Sequence, residues 1–290
     1  MNAPACPVCG NTDLLPAGER KGKIPPFRHF ALKTCPMCRF TFVEHPRTDY
    51  ENIYSKDYYD GIGADPLVQY QFECQNEAQT IRRYEWQALV ALYDALHLAV
   101  RESVWLDYGC GYGGLVAYGR EQGKAIWGYE PNVASDRPFL LDVDALQKLT
   151  EKRKWDFISC VEVIEHVARP LDLLAQLRGL LNPGGILFMT TGNARPWRGK
   201  MTNWSYTSCP DVHVSFFEPE TLALALQRSG FTPCFVENKA LFVNMIRFKI
   251  LKNLGVKRNH SIQNLLPWKI ITRLADALYQ VSAMPYGIAC

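Results

Sequence analysis

Nowhere in the 290-residue chain do 18 apolar residues follow one another, so no segment is expected to span a membrane. No cationic, then apolar leader precedes Cys6, and the expected compartment is the cytoplasm. Net charge is almost lacking: 32 Lys and Arg against 29 Asp and Glu leave +3, too weak a field to make nucleic acid the expected partner. Internal repeats and low-complexity tracts are missing too, which removes solenoid and linker architectures. Cysteine is not scarce. Of the ten, four fall in two C-x2-C pairs and six stand singly, a pattern suited to a reducing compartment rather than a disulfide framework. With 48% hydrophobic and 21% charged residues, the chain can bury one full α/β core plus a small appendage.

Val104 to Leu115 reads VWLDYGCGYGGL. Val104, Trp105 and Leu106 predict a buried strand, Asp107 closes it, and Gly109, Gly111, Gly113 and Gly114 precede a helix opening near Leu115. A turn without Cβ atoms lets the backbone approach a nucleotide-like ligand closely. Gly109, Gly111 and Gly114 also satisfy G-x-G-x-x-G, so a nucleotide-dependent oxidoreductase competes on the glycines alone. Asp107 separates the two readings. A carboxylate just before the glycines repels a pyrophosphate and attracts a sulfonium or ammonium. The expected ligand is therefore cationic, with S-adenosylmethionine foremost. Ala125 to Tyr129 predicts a second strand, ended by Glu130, where an acid can accept from both ribose hydroxyls.

The N-terminus carries a second signal. Cys6-Pro-Val-Cys9 and Cys35-Pro-Met-Cys38 present two C-x2-C knuckles separated by 25 residues. Each knuckle can offer two thiolates to one tetrahedral ion, and two knuckles close a four-sulfur structural zinc site. A redox dithiol pair and disulfides are the alternatives, and the paired C-P-x-C pattern favours zinc.

Taken in order, Asp107-Tyr-Gly109-Cys110-Gly111-Tyr-Gly113, Glu130-Pro131, Val161-Glu-Val-Ile-Glu165-His166-Val167 and Leu181-Asn-Pro-Gly-Gly185 resemble the motif set of class I S-adenosylmethionine-dependent methyltransferases, over roughly residues 100 to 240. The resemblance implies an α/β, Rossmann-like, seven-stranded and mostly parallel sheet with helices on both faces, plus the small zinc ribbon. It implies that Asp107, Gly109, Cys110, Gly111, Gly113 and Val161 line the methyl donor, that Glu130 holds the ribose, and that Asp142 falls near the adenine amino group. Only about eight residues separate Glu130 from the Phe139 strand, too few for the usual crossover helix, which weakens the adenine-side assignment. Bacterial members with an N-terminal zinc ribbon include enzymes that methylate nucleotide-linked sugars, so a small-molecule acceptor is implied: a sugar, glycan or other secondary metabolite. This chain lacks the large extra C-terminal domain of the sugar C-methylating members. A zinc-ribbon binding module with an inactive core is the alternative.

The organisation expected is a ribbon over 1–45, an aromatic and helical lid over 46–100, a core over 101–240 and a helical extension with a possible last strand over 241–290. Tyr54, Tyr58 and Tyr59 of the lid are candidates to face substrate, with simple packing the plainer alternative. Two histidines are placed for chemistry. His213 follows the fifth strand of the core, flanked by Phe216 and Phe217 that are expected to exclude water, and suits a general base. His166 closes an E-V-x-E-H run that also resembles quinone-biosynthesis O-methyltransferases, where Glu162, Glu165 and His166 would match a divalent-metal site. The sequence assigns neither the atom methylated nor an oligomeric state.

Overall fold

The computed structural model of the chain describes residues 5–60, 70–76, 80–96, 98, 102–132, 138–235 and 286–289. Beyond residue 235 only Tyr286–Ala289 is described, so the helical part of the extension expected over 241–290 lies outside the described residues. Among those residues no helix is long and apolar enough to cross a membrane.

The N-terminal part forms β1 (Leu15–Lys21), β2 (His29–Thr34) and β3 (Thr41–Val43), an antiparallel meander framed by the two cysteine pairs. Short helices α1 (Tyr50–Ile53), α2 (Lys56–Tyr59) and α3 (Tyr70–Gln75) lead to α4 (Arg82–Ala95). The core follows as β4 (Trp105–Tyr108), α5 (Gly114–Glu121), β5 (Ile126–Tyr129), β6 (Leu140–Leu141), α6 (Val143–Lys152), β7 (Trp155–Val161), α7 (Pro170–Leu180) and β8 (Leu181–Thr191). After it come β9 (Ser215–Phe216), α8 (Pro219–Arg228), β10 (Cys234–Phe235) and β11 (Tyr286–Ala289).

Seven strands make one sheet in the order β10-β11-β8-β7-β4-β5-β6. The five from β8 to β6 are parallel, and β11 runs antiparallel between β8 and β10. A parallel sheet needs cover on both faces, and strand alternation directs side chains to each. Trp105 packs with α4 and α5, whereas its neighbour Leu106 packs with α7 and α8. Asn182 to Gly185, whose proline and two glycines favour a turn, lies within the bounds of β8 but leaves the ladder. The register jumps from Trp155 opposite Leu181 to Phe157 opposite Ile186, and Gly184 takes φ 76°. The turn chemistry survives as an excursion inside a strand.

A second sheet has the order β1-β2-β3-β9. Its fourth strand comes from the core, with Thr41 opposite Phe216 and Phe42 opposite Ser215. Phe216 and Phe217 are each 1% exposed. Phe216 packs with Phe30 and Leu32, and the Phe217 ring lies 4.8 Å from that of Phe40. The screen over the reaction expected of this pair is absent, because strand pairing turns both rings into the seam between ribbon and core.

Candidate active site

β4 delivers Asp107 to the wall of a partly open cavity lined also by Gly109, Cys110, Val161, Glu162 and Arg82. Asp107 is 5% exposed and accepts a 2.6 Å hydrogen bond from Ser159 Oγ. Burial pushes its carboxyl up to about 7, only partly offset by that hydrogen bond. A half-neutral carboxyl at the tip of a central strand is poised to gain from a cation beside it. The loop that follows is confined to glycine: Gly109, Gly111 and Gly113 hold φ of 78°, 53° and 74°. A Cβ on Gly109 would lie 2.5 Å from Val163, and one on Gly113 would lie 2.8 Å from Leu140.

Glu130 follows β5. Its Oε2 accepts from the Gly111 amide at 3.0 Å and its Oε1 from the Tyr59 hydroxyl at 2.9 Å. The Asn132 amide donates to the same carboxylate, which leaves room for one further donor on its four lone pairs. Asp142 holds another post. It is exposed and caps α6, with Oδ1 accepting from the Ala145 amide at 2.8 Å, and it is not among the walls of this cavity.

The lid tyrosines do lie over the glycine loop. Tyr58 and Tyr59 are buried, and the Tyr59 ring sits 6.0 Å from those of Tyr70 and Tyr112. Tyr112 donates to Asp60 at 2.7 Å. Arg82 on α4 pairs with Glu73 of α3 at 2.9 Å and with Glu85 one turn on at 2.7 Å, latching the two helices beside the cavity. Sequence reasoning missed this latch, although Arg82 and Glu85 carry the i,i+3 spacing that would have marked it.

Glu162 joins this cavity to a second cluster. It follows β7 with φ 54°, a left-handed conformation costly for any residue with a Cβ and found where structure over-determines a residue. Thr190 Oγ1 donates to Glu162 Oε1 at 3.2 Å, and the Tyr206 hydroxyl reaches Glu162 Oε2 at 2.7 Å. The same hydroxyl contacts Glu165 Oε1, while Thr191 Oγ1 donates to Glu165 Oε2 at 2.9 Å. One phenol proton cannot serve two carboxylates. Complete burial, and the nearby Glu162, push the Glu165 carboxyl well up, partly offset by its hydrogen bonds with Tyr206 and Thr191.

His213 stacks on Tyr206 with ring centres 4.2 Å apart, and His166 lies 4.8 Å from His213. The Tyr206 carbonyl stands 2.9 Å from His213 Nδ1. A carbonyl only accepts, so Nδ1 is the protonated nitrogen and Nε2 carries the lone pair. Burial depresses the His166 imidazole well below the usual histidine range, with His213 adding to the effect, and its Nδ1 has no hydrogen-bond partner among the described residues. Ligand atoms of Glu165, His166 and His213 all lie within 4.8 Å of one another. Tyr206 gave no local signal in the sequence.

The four cysteines converge as their spacing predicts. Cys6 Sγ lies 3.5 Å from Cys38 Sγ, and Cys9 Sγ lies 3.4 Å from Cys35 Sγ. These separations are far too long for disulfides, and a tetrahedral zinc with bonds near 2.3 Å sets its sulfurs about 3.8 Å apart. The two knuckles share one backbone form. Gly10 N donates to Cys6 O at 2.9 Å and Arg39 N to Cys35 O at 2.8 Å, with Gly10 and Arg39 at φ 80° and 64°. The donor set and its geometry fit zinc.

A methyltransferase-domain family model matches residues 78–234, more than half of the chain, and the protein belongs to that family. Among relatives, it is 34% identical over 105 residues to a ubiquinone biosynthesis O-methyltransferase of Histophilus somni, covering 30% of this chain and 44% of that protein. It is 30% identical over 122 residues to the enzyme of the same name from Xanthomonas campestris, covering 36% and 49%. The matches thus span about half the length of these relatives. A SAM-dependent methyltransferase from Archaeoglobus fulgidus aligns with 76% of this chain and 99% of its own, at 15% identity and TM-score 0.44. Burkholderia thailandensis 1,6-didemethyltoxoflavin-N1-methyltransferase aligns with 74% and 89%, at 18% identity and TM-score 0.42.

Proposed function

We propose that the protein transfers a methyl group from S-adenosylmethionine to a hydroxyl of a small molecule, and that one structural zinc ion on Cys6, Cys9, Cys35 and Cys38 holds its N-terminal ribbon. The buried Asp107 beside the glycine loop carries the cofactor part of this reading, because a carboxyl stranded near neutrality favours a cation over a pyrophosphate. The O-methyltransferase names of the relatives support a hydroxyl acceptor. Bound in this cavity, S-adenosylmethionine supplies a methyl group already activated on a sulfonium. Asp107 offers its carboxylate to the cationic part, Gly109, Cys110 and Val161 shape the wall, Gly111 and Gly113 give the loop its left-handed turns, and Glu130, held to the loop by the Gly111 amide, accepts from a ribose hydroxyl. The tyrosine lid excludes water, and His213 takes the acceptor proton at Nε2.

Two tests address the cofactor half. Free Asp107 titrates near pH 7, and a bound cation favours its charged form. Affinity for S-adenosylmethionine should therefore fall as pH drops below about 7, level off above it, and binding should release protons. Calorimetry in buffers of different ionisation heat reads this. A pH-independent affinity with no proton release rejects the role of Asp107, and a response to NAD alone rejects the reading altogether. In the second test, Glu130→Ala should weaken cofactor binding by about 1.5 to 3 kcal/mol through loss of a charge-assisted contact. Unchanged affinity in that variant would sink the ribose assignment. A turnover assay with candidate phenols and sugars then separates an active enzyme from an inactive binding module.

A further inference from the structure

The N-terminal part reaches into the catalytic loop at one buried acid. Asp211 is 1% exposed and lies two residues before His213. Its Oδ2 accepts from the Lys23 amide at 2.6 Å, and its Oδ1 faces Arg47 Nη1 at 3.6 Å with no hydrogen-bond partner among the described residues. Arg47 is itself 6% exposed, donates to the Pro25 carbonyl at 2.8 Å, and pairs with Asp49. The hairpin descends so far that a Cβ on Gly22 would lie 2.8 Å from both Asp211 carboxylate oxygens and from the Phe30 ring. The Asp211 loop is closed by the amides of Val212 and His213, both donating to the Cys209 carbonyl. Beyond it, Val214 donates to Glu165 O at 2.8 Å and accepts from the Val43 amide at 2.9 Å.

A buried carboxylate held by one hydrogen bond and one distant guanidinium is poor compensation for its lost hydration. Apolar packing would seal the seam between ribbon and core at least as well. What the acid adds is a fixed place for the chain on either side of it. We infer that Asp211 is a positioning residue, through which the N-terminal segment containing Gly22, Lys23 and Arg47 sets the His213 imidazole against Tyr206. The inference rests on the reading of His213 as the base. It makes the N-terminal segment part of the reaction machinery, although none of its residues touches substrate.

The test uses the full chain and compares Asp211→Asn, Arg47→Ala and Arg47→Lys with His213→Ala. Asp211→Asn keeps the shape and one acceptor oxygen but loses the charge pairing. Its kcat should fall roughly 10- to 100-fold while KM for S-adenosylmethionine stays within about twofold, since a small displacement of a catalytic group costs rate rather than cofactor binding. Arg47→Ala should give a similar kcat loss that does not add to that of Asp211→Asn, and Arg47→Lys should recover part of it. In a His213→Ala background, Asp211→Asn should cost nothing further. Amide hydrogen exchange across residues 204–216, which requires no turnover, should accelerate in Asp211→Asn and Arg47→Ala. Wild-type kcat and unchanged exchange in a folded Asp211→Asn protein would overturn the inference, as would equal losses in kcat and cofactor affinity. Faster exchange together with a fully active His213→Ala would refute the base assignment instead, leaving the mechanical link in place.

Discussion

His213→Ala should lower single-turnover methylation by about 100-fold or more while affinity for S-adenosylmethionine stays almost intact. A hydroxyl must lose its proton as the methyl arrives, and a neutral imidazole suits that task near pH 7. The Tyr206 carbonyl fixes the tautomer that leaves the lone pair on Nε2. His213 is 5% exposed and stacked on Tyr206, whose hydroxyl reaches the Glu162 carboxylate on the cofactor wall. The imidazole thus stands one residue removed from the cavity, on a continuous chain of contacts. His166→Ala is the companion variant, because His166 shares the cluster with His213 and Glu165. If a divalent cation occupies that cluster, turnover collapses with a chelator in wild type and both variants start from a low base. If His213 is a simple base, the chelator leaves the wild-type rate unchanged over a single turnover and His166→Ala loses far less than His213→Ala. Full activity in His213→Ala removes it from the mechanism.

That Asp107, the glycine turn and Glu130 come together was legible because contiguous motifs at strand ends carry them. Asp107 is the third residue of β4, the glycines follow that strand and Glu130 follows β5, so reading the strands placed the residues. The cysteine knuckles were legible for a similar reason: two residues between thiols dictate their geometry whatever surrounds them. Boundaries were less so. The long helix of the lid expected over 46–100 is Arg82–Ala95, since apolar periodicity says where a helix can pack and not where it stops.

What the sequence withheld is what the chain brings together from afar. Tyr59 reaches Glu130 across 71 positions, and Lys23 reaches Asp211 across 188. No local pattern encodes such pairs. The same holds for Phe216 and Phe217, whose alternation reads equally well as a wall over substrate or as strand packing. Only the pairing with β3 decides which face they take. Tyr206 lies in an irregular stretch of short turns, where neither period of two nor of 3.6 residues is available to guide a reading.

Cys35→Ser should strip zinc from the protein and unfasten its N-terminal sheet. Serine is a far weaker ligand for zinc than a thiolate, and binding of a structural zinc contributes on the order of 10 kcal/mol in small zinc peptides. Beside the metal, the segment before Val43 is held by Phe30 and Leu32 packed with Phe216 and by the Lys23 contact to Asp211, while β1 is largely exposed and β3 is three residues long. Its apolar anchor is shared, because Cys35 and Phe40 are both fully buried in the same cluster as Leu106, Trp155 and Met189. Hydrogen exchange should therefore rise across residues 5–43 and spread to β9, whose partner is β3. Most helix content should survive, since α4 and α5 pack on the face of the seven-stranded sheet away from the cysteines. α8 touches a knuckle, where Thr221 Oγ1 donates to the Cys38 carbonyl at 2.6 Å, and is the helix expected to loosen. Elemental analysis should find one zinc per wild-type chain and much less in the variant, and circular dichroism reads the helices independently. Wild-type protein purified under reducing conditions without chelator, yet free of zinc, would refute the metal assignment. Loss of zinc with unchanged exchange would instead show that the four sulfurs bind an ion the fold does not need.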